Sequence, residues 1–181
     1  MQFTSTLLFA ASALVASVSA ANVVHFHNQD STTRTIYFAN NPGMENIEAV
    51  TISGLNTIKN VTFPEGWTGN WYSVSEGAAN VTGMLGEVMF GGYGGATFFD
   101  ISAIVNPDDD QGVKILKPLS ADTPLSGCQT FPCSNAYNQP DDIATLATDD
   151  TELICLLGTL TSSKRSTRQK RFDHEFVTGA L

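Results

Sequence analysis

Two carboxylates stand inside apolar β-like runs, Glu87 in "GEVMF" and Asp100 in "FFDISAIV". An ionised carboxylate out of water costs several kcal/mol unless partnered, or its pKa moves. Asp100 therefore has three possible roles. It can be a structural hydrogen-bond hub that accepts from backbone and Ser102. It can line a ligand cleft, with Glu87 on a nearby strand. The two can also form a general acid and a base or nucleophile for glycosidic hydrolysis, which demands a set spacing and one raised pKa. Other chemistry-bearing types are sparse. "DDD" at Asp108–Asp110 has no EF-hand spacing and reads as a solvated turn rather than a Ca²⁺ loop. His25 and His27 alternate on "VVHFH", so they share one strand face without a third metal ligand. "GGYGG" at Gly91–Gly95 lacks the Lys and the helix of a phosphate loop, and reads as a hairpin turn presenting Tyr93. No pattern calls for a metal or another cofactor. No Ser/His/Asp or Cys/His catalytic arrangement is recoverable.

The elements that position these residues read as β almost throughout. Val23–His27, Thr35–Ala39, Glu48–Ser53, Asn70–Ser75, Glu87–Phe90, Ala96–Val105 and Gly112–Leu116 are short runs rich in β-branched and aromatic residues. "NNPG", "FPEGWTGN", "GGYGG" and "NPDDDQG" punctuate them. This spacing predicts an all-β, antiparallel sandwich. A short helix is expected around Asp141–Ala147.

The chain has 181 residues and a formal charge of −9. "TLLFAASALVASV" followed by "VSA" reads as a secretory signal peptide over residues 1–20, cleaved between Ala20 and Ala21. The domain is then 21–158. Residues 159–181 form a Ser/Thr-rich basic tail, expected to be flexible, with dibasic pairs at Lys164-Arg165 and Lys170-Arg171 open to trimming. Outside leader and tail, sixteen acids face only Arg34, Lys59, Lys114 and Lys117. Such a body disfavours phosphate backbones, so nucleic acid is not an expected partner. No later run is apolar enough to span a membrane. The "NVT" sequons at Asn60 and Asn80 are expected N-glycosylation sites. The cysteines Cys128, Cys133 and Cys155 allow one disulfide and leave one thiol.

Three segments together resemble the thaumatin-like family. "GWTGNWYSV" (Gly66–Val74) is similar to its Trp-containing strand. "GEVMFGGYGGATFFDIS" (Gly86–Ser102) is similar to its Glu strand, Gly-rich turn and aromatic-Asp-aliphatic-Ser strand. "CSNAYNQPDD" (Cys133–Asp142) is similar to its Cys-x-x-Ala-Tyr…Asp-Asp segment. The resemblance implies a thaumatin-like sandwich without the disulfide-rich second domain, closest to small fungal secreted and conidial members. It implies a cleft with Glu87, Asp100 and Asn106 toward the ligand, to which the neighbouring turn adds Tyr93 as an aromatic face; Asn106 stands where the family carries an Asp, and Asn70 and Ser73 stand near its basic positions. It also implies a Cys128–Cys155 disulfide with Cys133 free.

The function expected from all this is a secreted, non-enzymatic protein of the fungal cell wall or spore surface. It would bind wall β-glucan and act in conidial wall maturation, germination or adhesion. The alternatives are a weak β-1,3-glucanase using Glu87 and Asp100, and an effector or adhesin binding a host surface or extracellular-matrix protein.

Overall fold

The computed structural model describes residues 21–160. The expected signal peptide and nearly all of the basic tail lie outside the described residues. Among the described residues, eleven strands form two sheets: β1 (Asn22–Asn28), β2 (Arg34–Asn40), β3 (Val50–Ile52), β4 (Ile58–Phe63), β5 (Thr68–Ser75), β6 (Leu85–Met89), β7 (Thr97–Ser102), β8 (Val113–Pro118), β9 (Ser126–Gly127), β10 (Leu146–Thr148) and β11 (Glu152–Leu157). One sheet has the order β4-β1-β11-β8-β9 and the other β10-β7-β6-β5-β2-β3. The expected all-β sandwich is thus what forms. One pairing departs from an antiparallel scheme: β1 and β11 run parallel, with Phe26 opposite Cys155. The first and last strands therefore lie side by side in the middle of a sheet.

Alternation in the sequence decides which face of each strand is buried. Val24, Phe26 and Asn28 turn inward from β1, leaving His25 and His27 together on the half-buried outer face. From β5, Gly69, Trp71 and Ser73 turn inward, while Asn70 and Tyr72 turn outward. The core is aromatic at one end. Phe63 meets Trp67 at 4.9 Å and 65°, and Phe26 meets Trp71 at 5.5 Å and 86°, the edge-on arrangements that ring quadrupoles favour. Trp67 donates its Nε1–H to the Glu45 carbonyl at 2.9 Å. Glycine is required beside the Trp71 ring: a Cβ on Gly86 would lie 2.6 Å from it.

The helix expected near Asp141–Ala147 does not form. Asp142 instead takes the backbone N–H groups of Asn138 and Gln139 at 2.7 and 2.8 Å, which fixes a turn, and the chain then runs into β10. Side-chain capping of a turn competes directly with helix initiation there.

The expected Cys128–Cys155 disulfide is also corrected. Cys128 is bonded to Cys133, five residues away, in the segment after β9. Cys155 faces inward from β11, is fully buried and is free. Trp71 donates its Nε1–H to the Cys155 sulfur at 3.4 Å. Burial pushes that thiol up to about 12, although the Trp71 hydrogen bond acts in the opposite sense. Cys155 is a core side chain, so the surface loop that carries Cys128 finds its partner locally.

Candidate functional site

Residue register builds the site. Asn70 on β5 lies opposite Glu87 on β6, and Glu87 lies opposite Asp100 on β7. Thr145, one residue before β10, reaches the same row. All four sit on the outer face of the six-stranded sheet, because the neighbours Trp71, Val88, Phe99 and Ile101 are the ones turned into the core. The row lines a cavity of ≈ 260 Å³, walled at one end by Met89 and Phe98.

Asp100 is 7% exposed, whereas Glu87 is half-buried. Thr145 Oγ1 donates to Asp100 Oδ2 at 3.0 Å. Its single proton is then committed, so the Tyr137 hydroxyl, 2.9 Å away, donates to Thr145. Asp100 Oδ1 is buried and accepts no hydrogen bond from any donor among the described residues. Glu87 is its neighbour. Burial first, then the Asp100 charge and the hydrogen bond to it, raise Glu87 to about 7. Burial also raises Asp100, against the opposing hydrogen bonds from Thr145 and Glu87. Two neighbouring carboxyls do not both ionise freely, so the pair resists the second negative charge, and Asp100 Oδ1 keeps no donor among the described residues.

The structure thus joins Glu87 and Asp100 and separates the other two expected ligand residues. Tyr93 is 93% exposed at the tip of the β6–β7 hairpin and does not line the cavity. Asn106 lies in the loop after β7 and donates to the Thr82 carbonyl at 3.5 Å. The hub reading of Asp100 expects bonds from backbone and Ser102; the donor is instead the Thr145 hydroxyl, and Oδ1 has no donor among the described residues. Trp67 and Trp71 are core. Tyr72 stacks on Tyr37 at 5.5 Å on the same outer face as the row, and its hydroxyl donates to Asn80 Oδ1 at 3.1 Å. Asn80 is exposed. Asn60 is exposed on the edge strand β4, its Oδ1 2.9 Å from His25 Nδ1.

The acidic knot of Asp108–Asp110 has a separate, local role. Asp109 accepts the backbone N–H of Met84, Gln111 and Gly112 at 2.9, 3.1 and 2.8 Å, and so ties the β7–β8 loop to the start of β6.

Sequence reasoning missed a charged cluster at the far end of the core. Arg34 is fully buried and grips Asp30 with two parallel bonds, Nη1 to Oδ1 at 2.7 Å and Nη2 to Oδ2 at 2.8 Å. It also donates to the Gln111 carbonyl at 2.9 Å. Gly158, at φ +73°, passes so close that a Cβ would lie 2.3 Å from Nη2. The signal was present as Asp30 and Arg34 four residues apart around "STT".

Comparison with known proteins places the chain. No family model matches it. The antigenic protein SchS21 of Stachybotrys chartarum is 47% identical over 135 residues, which are 75% of this chain and 93% of that protein. The chain belongs to the SchS21 family. The aligned length suits the β-sandwich described above. No helix among the described residues is long and apolar enough to cross a membrane.

Proposed function

We propose that this member of the SchS21 family is a secreted fungal surface protein of thaumatin-like character that binds wall β-glucan in the Glu87–Asp100 cavity without hydrolysing it. The observation that carries the reading is the row Asn70–Glu87–Asp100–Thr145 along an open groove. It offers amide, carboxyl and hydroxyl groups to sugar hydroxyls, with the apolar Met89 and Phe98 beside them. The fungal relative, antigenic by name, supports a protein met at the outside of the cell. A role in conidial wall maturation, germination or adhesion to a host follows from the same reading.

Hydrolysis fits less well. Glycosidases hold their two carboxyls about 5–5.5 Å apart when retaining and about 6.5–9.5 Å apart when inverting, so that a sugar or a water fits between them. Glu87 and Asp100 instead face each other directly across paired strands, close enough for the Asp100 charge to help raise Glu87. The purified protein is expected to co-sediment with insoluble β-1,3-glucan and to release no reducing sugar. Asp100→Asn and Glu87→Gln should weaken the co-sedimentation several-fold. Sugar release that disappears in Glu87→Gln would overturn the non-enzymatic reading. Undiminished binding by both variants would move the site elsewhere, and binding to a host protein in place of glucan would favour an effector or adhesin.

A further inference from the structure

The groove has a charge problem that its own side chains leave unsolved. Of the residues lining it, two are carboxylates and none is Lys, Arg or His. Asp100 is more than nine-tenths buried, and its Oδ1 has no donor among the described residues. Elsewhere in the molecule a buried carboxylate is answered by a cation, as Asp30 is by Arg34. Here the lining side chains are oxygen-bearing: the Glu87 carboxyl, the Asn70 amide and the Thr145 hydroxyl, brought to one row from β5, β6 and the residue before β10.

We propose that this row is a binding site for a hard divalent cation, Ca²⁺ or Mg²⁺. Such ions take oxygen ligands, six to eight for Ca²⁺ and six for Mg²⁺, with Mg²⁺ commonly held by one or two carboxylates plus waters. Asp100 Oδ1 and Glu87 supply the charge. Asn70 and Thr145 supply neutral oxygens, and the open mouth of the groove admits water for the remaining positions. Softer metals are disfavoured, because the row holds no Cys or His. No linear motif announces the site, since its ligands are spread over Asn70, Glu87, Asp100 and Thr145 and meet only through strand register. A bound ion would leave water positions that vicinal sugar hydroxyls can take. The cation site itself stands independently of the glucan reading and is tested with the metal alone.

The test is a melting curve and a calorimetric titration of the purified protein at neutral pH, first in chelator and then with CaCl₂ or MgCl₂ at constant ionic strength. A saturable rise in Tm of a few degrees with at least one of the two ions is expected, since a ligand that binds only the folded state stabilises by mass action. Glu87→Gln should lose that response at least tenfold in apparent affinity. Glu87 is half-buried at the groove, so this variant is the one chosen to fold; Asp100→Asn is the second. Asp110→Asn, in the exposed acidic knot, should keep the full response. The proposal is overturned if neither ion gives a saturable shift, if NaCl matches them, if Glu87→Gln responds like the parent, or if Asp110→Asn loses the response as fully as Glu87→Gln does.

Discussion

Asp100 is legible in the sequence because a charge breaks an apolar run, and Glu87 because strand alternation sets it opposite the core. Their partners are not legible. Asn70 and Thr145 are ordinary polar residues whose meaning comes only from the strands beside them. Tyr93 is read from its Gly-rich turn and Asn106 from its place after the Asp100 strand, but a hairpin tip and a following loop do not inherit the register that aligns the strands. The carboxyl pair has a measurable consequence. Glu87 is raised from 4.5 to about 7, so the folded state binds more protons than the unfolded chain between those values. Stability must fall as pH rises through that window and stay lower above it. In chelator, Tm should therefore decline between about pH 4.5 and 7, and Glu87→Gln should flatten the decline. A Tm that rises across the window in the parent protein would show that the pair is not short of a positive charge.

The cluster at the β1–β2 turn is where single residues become element structure. Arg34 starts β2, Asp30 lies in the turn, and Asp30 Oδ2 also accepts the backbone N–H of Thr159 at 3.0 Å, just past β11. One carboxylate thus clamps the β1–β2 connection, which passes between the two sheets, to the end of β11. Burial by itself raises Asp30, but the Arg34 guanidinium and the Thr32 and Thr159 N–H groups outweigh it and hold the carboxyl well below its usual range. This contribution is present above the unfolded value near 3.8 and is lost as pH falls below it, opposite in sense to Glu87. Asp30→Ala leaves a fully buried guanidinium without its counter-ion, which costs about 3 kcal/mol or more. Chemical denaturation should register that loss, whereas replacing Asp110, exposed in the knot, should change stability by under about 0.5 kcal/mol. The strands around this clamp were unevenly readable. β1, β2 and β5 follow from alternation. β11, "ELICLL", is a run whose parallel pairing no local signal reports. The Cys128–Cys155 pairing that the resemblance implies fails because Cys155 is a core side chain of β11, whereas Cys128 and Cys133 share one surface segment.

At the scale of the molecule, the parallel β1–β11 pair makes the C-terminal strand a structural interior rather than an end. β11 lies between β1 and β8, and its inward residues Leu153, Cys155 and Leu157 are fully buried. Removing it would expose those side chains and the Trp71 ring, and would strand β1 as the partner of β4 alone. Each fully buried aliphatic side chain contributes about 1.5–3 kcal/mol, so the loss exceeds the stability of an ordinary domain once the ladder bonds are counted. Past β11 the described contacts thin out quickly. Gly158 covers Arg34, Thr159 reaches Asp30, and Leu160 donates its N–H to Gln129 Oε1 at 3.3 Å. The point at which shortening the chain begins to cost stability should therefore lie between Leu157 and Leu160. A chain ending at Ser163, without the basic residues Lys164–Arg171, should melt within about a degree of the full chain. One ending at Leu157 keeps the strand but loses the Gly158 and Thr159 contacts and should melt several degrees lower, by the ~1–3 kcal/mol attached to lost bonds on buried charged groups. One ending at Asp150 should not fold. Equal melting of the Ser163 and Leu157 forms would show that the Asp30–Arg34 clamp does not need the end of the chain to close it.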